Sequence, residues 1–252
     1  MYITRQFIAM YDLTRFNLQN ATDISTALRG FGQTANTVET VAQRSVRYLY
    51  DSFIDPKTGQ SACALVRFFK THSYGELPVE LQLQTQKALE HPGELSPEVK
   101  CLTLLATIGE RPAWNDRRAS QEHQVIPLTS AKGVQEIPMI AQLIRSFGLE
   151  INSVVSPDPG LLMELERKTY NVFFIPQAAG SEFIPSQDSF VKPFGIKSVI
   201  GFGGVLPSGN LFAIILFSKV PVPDSTAHLF KTLPLNIKMA IMALDRTHTF
   251  CP

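Results

Sequence analysis

Pro193 to Val222 reads PFGIKSVIGFGGVLPSGNLFAIILFSKVPV, two strand-length apolar runs on either side of Pro207-Ser208-Gly209-Asn210. Those four residues are turn formers, and so short a connection between two strands makes them antiparallel neighbours. Leu211 to Phe217 is apolar without a break. That length is too short to span a bilayer and suits a strand. The glycines Gly201, Gly203 and Gly204 have neither the GxGxxG nor the GxxxxGK[ST] spacing of a phosphate loop. They also lead into another strand and not into a helix, so they predict a bulged or closely packed strand.

Downstream, Phe230, Leu233, Ile237, Ile241 and Leu244 step by three and four and predict a helix, with Pro234 at a kink or restart. Upstream, Ala62 to Phe69 and Cys101 to Ile108 alternate as strands, and Val79 to Glu90 reads as a polar surface helix begun by Pro78. The spacing predicts one helix from Val134 to Phe147, stopped by Gly148. A further helix starts at Val38 behind an Asn36 or Thr37 cap, and Ile24, Leu28 and Phe31 form a helical stripe ahead of it. Leu161 to Tyr170 reads as a helical fragment and Asn171 to Ile175 as an apolar, strand-like run. The long Gly-, Ser- and Pro-rich segment that follows carries Phe183, Phe190 and Phe194, and a loop of that size usually covers or lines something. Helices at both ends, packed on one face of an antiparallel sheet of five or six strands, make the class α+β.

The chain has 252 residues, 44% hydrophobic and only 18% charged, which excludes a disordered chain and suits a globular one. A formal net charge of +1 gives no general drive toward nucleic acid or an anionic membrane surface. No apolar run reaches the length of a membrane span, and the first twenty residues make a poor signal peptide. The three cysteines, Cys63, Cys101 and Cys251, lack CxxC spacing and are odd in number. Reduced thiols and a cytoplasmic location are expected.

With these elements placed, the run from Pro193 to Val222 and its following helix resemble the closing strands and terminal helix of a GAF domain, the small-molecule sensing module related in fold to PAS domains. Gly195-Ile196-Lys197-Ser198 matches the glycine-hydrophobic-basic-serine lead into that strand, and YNVFFIPQAAGSEFIPSQDSFVKPFGI resembles the family's strand and covering loop. The resemblance is strongest from Asp158 to Leu244 and weaker from Val38 to Ser153, with extra length between Thr71 and Ser130. It implies a GAF/PAS-like sensory input domain of a bacterial signal-transduction protein. Its ligand is unknown, it is non-catalytic, and a kinase or cyclase output module would lie elsewhere. Residues 1–35 would be an N-terminal helical segment, 36–246 the sensor domain and 247–252 a tail.

Arg67, Arg111, Trp114, Asn115, Tyr170, Phe174, Phe183 and Phe194 are the ligand-binding candidates, a mostly apolar lining with a few polar anchors. No catalytic residue and no metal ligand is expected, since His72, His91, His123, His228 and His248 form neither HxxxH nor HExxH. No cofactor is expected either. A bilin would need a Cys-His pair, and the Asn-Lys-Phe pattern of cyclic-nucleotide GAF domains is missing. Two alternatives stand beside the sensor: a ligand-free dimerisation domain of the same fold, and a GAF-type thiol redox enzyme with Cys63 and Cys101 opposed on adjacent strands. A homodimer through the terminal helices is expected, because Ile24, Leu28 and Phe31 form a stripe outside the domain, with Met239 and Met242 off the main stripe of the last helix.

Overall fold

The computed structural model describes residues 9–89, 95–120, 123–158, 160, 171–245, 247 and 249–251. Among the described residues one antiparallel sheet holds β1 (Cys63–Ser73), β2 (Lys100–Gly109), β3 (Val125–Leu128), β4 (Phe173–Ile175), β5 (Ser198–Val205) and β6 (Leu211–Ser218). The spatial order is β3-β2-β1-β6-β5-β4, with β1 and β6 at the centre. The fold is therefore α+β with a six-stranded antiparallel sheet, as expected.

The hairpin runs in register from Val205↔Leu211 to Ser198↔Ser218, closed by Gly209 at φ +82. Helices do not gather on one face as expected: every residue of both strands is buried because each face of the sheet has its own cover. Ile200, Phe202, Phe212, Ile214 and Leu216 face a core shared with helices α1 (Leu18–Gly30), α2 (Val38–Ser52) and α8 (Leu233–Ile241). Val199, Val205, Ala213, Ile215 and Phe217 face a second core under α5 (Pro138–Ser146). The glycine run is close packing: a Cβ on Gly203 would collide with the Phe212 carbonyl and come within 2.9 Å of the Phe147 ring.

One expected element is divided by local chemistry, and another restarts where expected. The single helix over Val134–Phe147 is two, α4 (Ala131–Gln135) and α5, since Ile137 precedes Pro138 and takes φ −109, ψ 87. Pro234 marks a restart, with α7 (Asp224–Leu229) and α8 joined by a tight turn at Phe230–Thr232. Helices α3 (Val79–Lys87) and α6 (Ile151–Val155) complete the set referred to below.

The stripe read as lying outside the domain does not. Ile24 and Leu28 are fully buried in the same core as β5 and β6, and Phe31 is half-buried against Tyr48, their ring centroids 5.7 Å apart. The reason is contact with α8, so close at Gly32 that a Cβ there would overlap the Ala240 backbone. Nor does the segment after α8 hang free. Glu39 N–H donates to the Thr249 carbonyl at 2.9 Å, and Cys251 N–H donates to Glu39 Oε2 at 2.8 Å.

Candidate functional site

β1 is four residues longer than its apolar pattern. Beyond Phe69 it continues as Lys70, Thr71, His72 and Ser73, paired with Thr103 to Lys100 of β2. Strand alternation sets Lys70 and His72 on the face of Phe68. Lys70 is fully buried, and its Nζ lies 2.7 Å from Asp245 Oδ1, itself buried. Burial draws the Lys70 ammonium below its ordinary range, and Asp245 opposes that shift.

His72 is 2% exposed, its ring centroid 5.1 Å from that of Phe250. Neither ring nitrogen has a hydrogen bond of good geometry, the neighbouring polar group being the Lys70 backbone. Burial first, then the charges of Lys70 and Lys100, push its pKa well below the usual 6.5, so the imidazole is neutral at neutral pH. Beside it opens a polar cavity of about 670 Å³ lined by His72, Glu76, Lys100, Ser208, Asn210, Asp245, Thr247, Thr249 and Phe250. Lys100 Nζ donates to Ser73 Oγ at 3.2 Å and Asn210 Oδ1 at 3.1 Å. Thr71 Oγ1 accepts the Leu211 N–H at 2.8 Å, fixing the hairpin turn against β1.

One wall of this cavity is the segment that follows α8. A second buried ion pair holds it down: Arg117 Nε donates to Glu39 Oε1 at 2.6 Å, while the guanidinium stands 5.5 Å from the Phe250 ring centroid. Glu39 Oε2 accepts from both Arg117 Nη2 and Cys251 N–H. Glu39 thus joins α2, the segment after β2 and the chain end. Its partners are 78 and 212 residues away in sequence, which is why no local pattern pointed to it.

The sequence-expected lining is only partly assembled. Arg111, Trp114 and Phe194 meet, with the Arg111 guanidinium 5.4 and 4.8 Å from the Trp114 and Phe194 ring centroids and those rings 4.6 Å apart. Phe190 contacts both rings and Phe217 in turn, so aromatic side chains fill the space between them. Asn115 serves the backbone, accepting Gly109 N–H at 3.2 Å and donating to the Arg111 carbonyl at 3.1 Å. Arg67 stands between Leu65 and Phe69 on the same face and donates to Ser120 Oγ at 3.4 Å. Phe183 is half-buried against the second core.

Phe174 belongs elsewhere, because alternation turns it opposite to Phe173 and Ile175. It packs on the first core and lines a separate cleft with His228 and Lys231. Tyr170 lies outside the described residues, as does the helical fragment expected from Leu161 to Tyr170.

The two strand thiols are not opposed. Cys63 pairs with Ser218, while Cys101 pairs with His72 at the far end of β1, nine ladder positions or about 30 Å away. Burial pushes Cys63 up to about 12 and Cys101 up to about 11. Both are therefore protonated thiols at neutral pH. Among the described residues no group of three or more His, Cys, Asp or Glu side chains could hold a metal ion, and no helix is long and apolar enough to cross a membrane.

No protein-family model matches the chain, and no curated protein matches it. Solved structures do resemble it. One is a free methionine-R-sulfoxide reductase from Neisseria meningitidis, in complex with its substrate, with 8% identity and a TM-score of 0.46 over 92% of this chain and 97% of that one. Another is the GAF domain of a phosphoenolpyruvate-protein phosphotransferase from Coxiella burnetii, with 11% identity and a TM-score of 0.40 over 89% of this chain and 93% of that one.

Proposed function

We propose that the chain is a non-catalytic, small-molecule-sensing domain of the kind that feeds an output module in bacterial signal transduction. One observation carries the reading: the polar cavity and the chain-end segment share contacts. Asp245 holds Lys70, Phe250 covers His72, and all four belong to the cavity or its immediate wall. A ligand there acts on the position of residues 245–251, provided it binds one arrangement of that segment better than another. Against a thiol reductase stand the burial of Cys63 and Cys101 and their separation along β1.

The test is a thermal-shift screen of polar metabolites followed by hydrogen exchange on each compound that stabilises the protein. The reading requires altered exchange in residues 245–251. Compounds that bind without changing that segment would refute it, and turnover of free methionine sulfoxide that is lost on alkylation of Cys63 or Cys101 would put the redox enzyme in its place.

A second reading, homodimerisation, rests on the outer face of the last helix. Leu235, Met239 and Met242 are 63%, 38% and 49% exposed and recur at steps of four and three, one apolar stripe offered to a second copy of the chain. It replaces Ile24 and Leu28, which are spent inside the core.

A further inference from the structure

The walls of the 670 Å³ cavity carry two opposite charges that are not neutralised by each other. Lys100 is half-buried, and its ammonium is held only by two neutral oxygens, those of Ser73 and Asn210. Glu76, exposed at the rim, accepts the N–H of that same Ser73 at 3.3 Å, a bond that fixes the carboxylate at the start of a tight turn. Among the described residues neither side chain has an ion-pair partner, whereas the deeper Lys70 is matched by Asp245 and adds no net charge.

His72 lines the same cavity, 2% exposed and with neither ring nitrogen in a hydrogen bond of good geometry. A buried neutral imidazole has one N–H to give and one lone pair to fill, and leaving both unmet costs stability. Both nitrogens are closed off from the cavity space, so the charged groups on its walls and not this ring would read an occupant. A phosphate or dicarboxylate would suit Lys100 but would be repelled by Glu76, and a simple amine would meet the reverse difficulty. A molecule that carries one charge of each sign satisfies both walls.

We infer that the cavity binds a small zwitterion with the size and charge pattern of a free α-amino acid, its carboxylate on Lys100 and its ammonium on Glu76. The inference rests on the sensing reading above and gives it a ligand class. Phe250, whose ring covers His72, is the apolar surface on which the ligand's side chain would lie.

Titration calorimetry of the whole chain with each of the twenty standard L-amino acids tests it. For the tightest binder, the same titration is repeated with its deaminated acid and its decarboxylated amine. The expected result is saturable binding of at least one amino acid with Kd below about 1 mM. Both single-charge analogues should bind about tenfold or more weaker, the loss of one charged hydrogen bond. Glu76→Gln keeps an acceptor for Ser73 N–H and should weaken binding by a similar factor, as should Lys100→Met. Circular dichroism of both variants separates lost binding from lost fold, and the analogue series needs no variant at all. Equal binding of an analogue that lacks one charge, or binding of inorganic phosphate in preference to amino acids, overturns the inference. If amino acids fail while another polar metabolite binds and alters exchange at 245–251, the ligand class falls and the sensing reading stands. If nothing binds, both fall.

Discussion

The middle of the sheet and its polar end are buried to the same degree by different means. At the middle, Phe202, Phe212, Ile214 and Leu216 meet a mainly apolar cover that includes the Phe16, Phe53 and Phe230 rings, whose centroids lie 5.4 to 5.8 Å apart. At the end, Lys70, His72, Glu39, Arg117 and Asp245 are buried in two ion pairs and one imidazole without a good hydrogen bond. The first arrangement is stable with any well-shaped apolar set. The second depends on every partner being present, because a charge left alone in the interior is far more costly than the pair is favourable. A region built that way is suited to respond to a ligand, since small changes in pairing carry large energies.

The largest expected effect comes from breaking one pair. Asp245→Ala should destabilise the fold by about 3–5 kcal/mol, leaving Lys70 buried without its counter-charge. Phe230→Ala in the apolar middle should cost about as much, by cavity formation. The double change Lys70→Met with Asp245→Leu distinguishes the two cases. It should recover most of the loss, as measured by urea denaturation, because it removes both charges together. A double variant no more stable than Asp245→Ala would mean that the polar end is held by contacts other than this pair.

That contrast also decides what the sequence could show. The hairpin, the terminal helices and the α+β class follow from apolar residues at periods of two and near 3.6, a local signal. The apolar pattern ends the strand at Phe69, because nothing local says that Asp245 and Phe250 will cover the residues beyond it. Phe174 stands apart from the expected lining because the face of a three-residue strand is set by its ladder partner, Ile200, and not by its neighbours in sequence. Trp114 and Phe194 do meet, yet as contacting rings closed by Phe190, whose part only the folded loop reveals.

His72 gives a smaller effect with a defined sign. Its folded pKa lies well below the unfolded value near 6.5, so the unfolded chain takes up a proton that the folded chain refuses. The neutral ring therefore contributes its full stability above about pH 6.5, and that contribution is lost as pH falls below it. The slope is at most about 1.4 kcal/mol per pH unit for one proton. His72→Phe, which keeps an aromatic ring beside Phe250, should reduce the wild-type slope between about pH 6.5 and 5 by that one-proton amount. Parallel curves for the two proteins would show that His72 is protonated in the fold, and the polar end would then be less dry than its burial indicates.

On the outer face of α8 the expected change in fold stability is smaller still, within about 0.5 kcal/mol for a surface position. Met239→Glu with Leu235→Glu should leave the urea midpoint nearly unmoved and shift sedimentation from dimer to monomer at tens of micromolar, roughly where weak specific interfaces remain occupied. Wild-type protein that sediments as a monomer there removes the second reading and leaves the sensing one untouched.

The aromatic cluster of Arg111, Trp114 and Phe194 completes the comparison, since it was the lining expected to read a ligand. Arg111 is exposed, and a cation over aromatic rings at such a site is worth about 0.5–1 kcal/mol. Arg111→Ala should therefore cost no more than that in stability. Its effect on ligand binding is the sharper readout. If the ligand occupies the polar cavity, the variant binds as tightly as wild type, because the cluster's rings already fill the space they enclose. If binding instead falls about tenfold while Lys100→Met has no effect, Arg111 is the anchor, and the rings open to admit a ligand between them. The two variants give opposite outcomes for the two regions, so one pair of titrations locates the site.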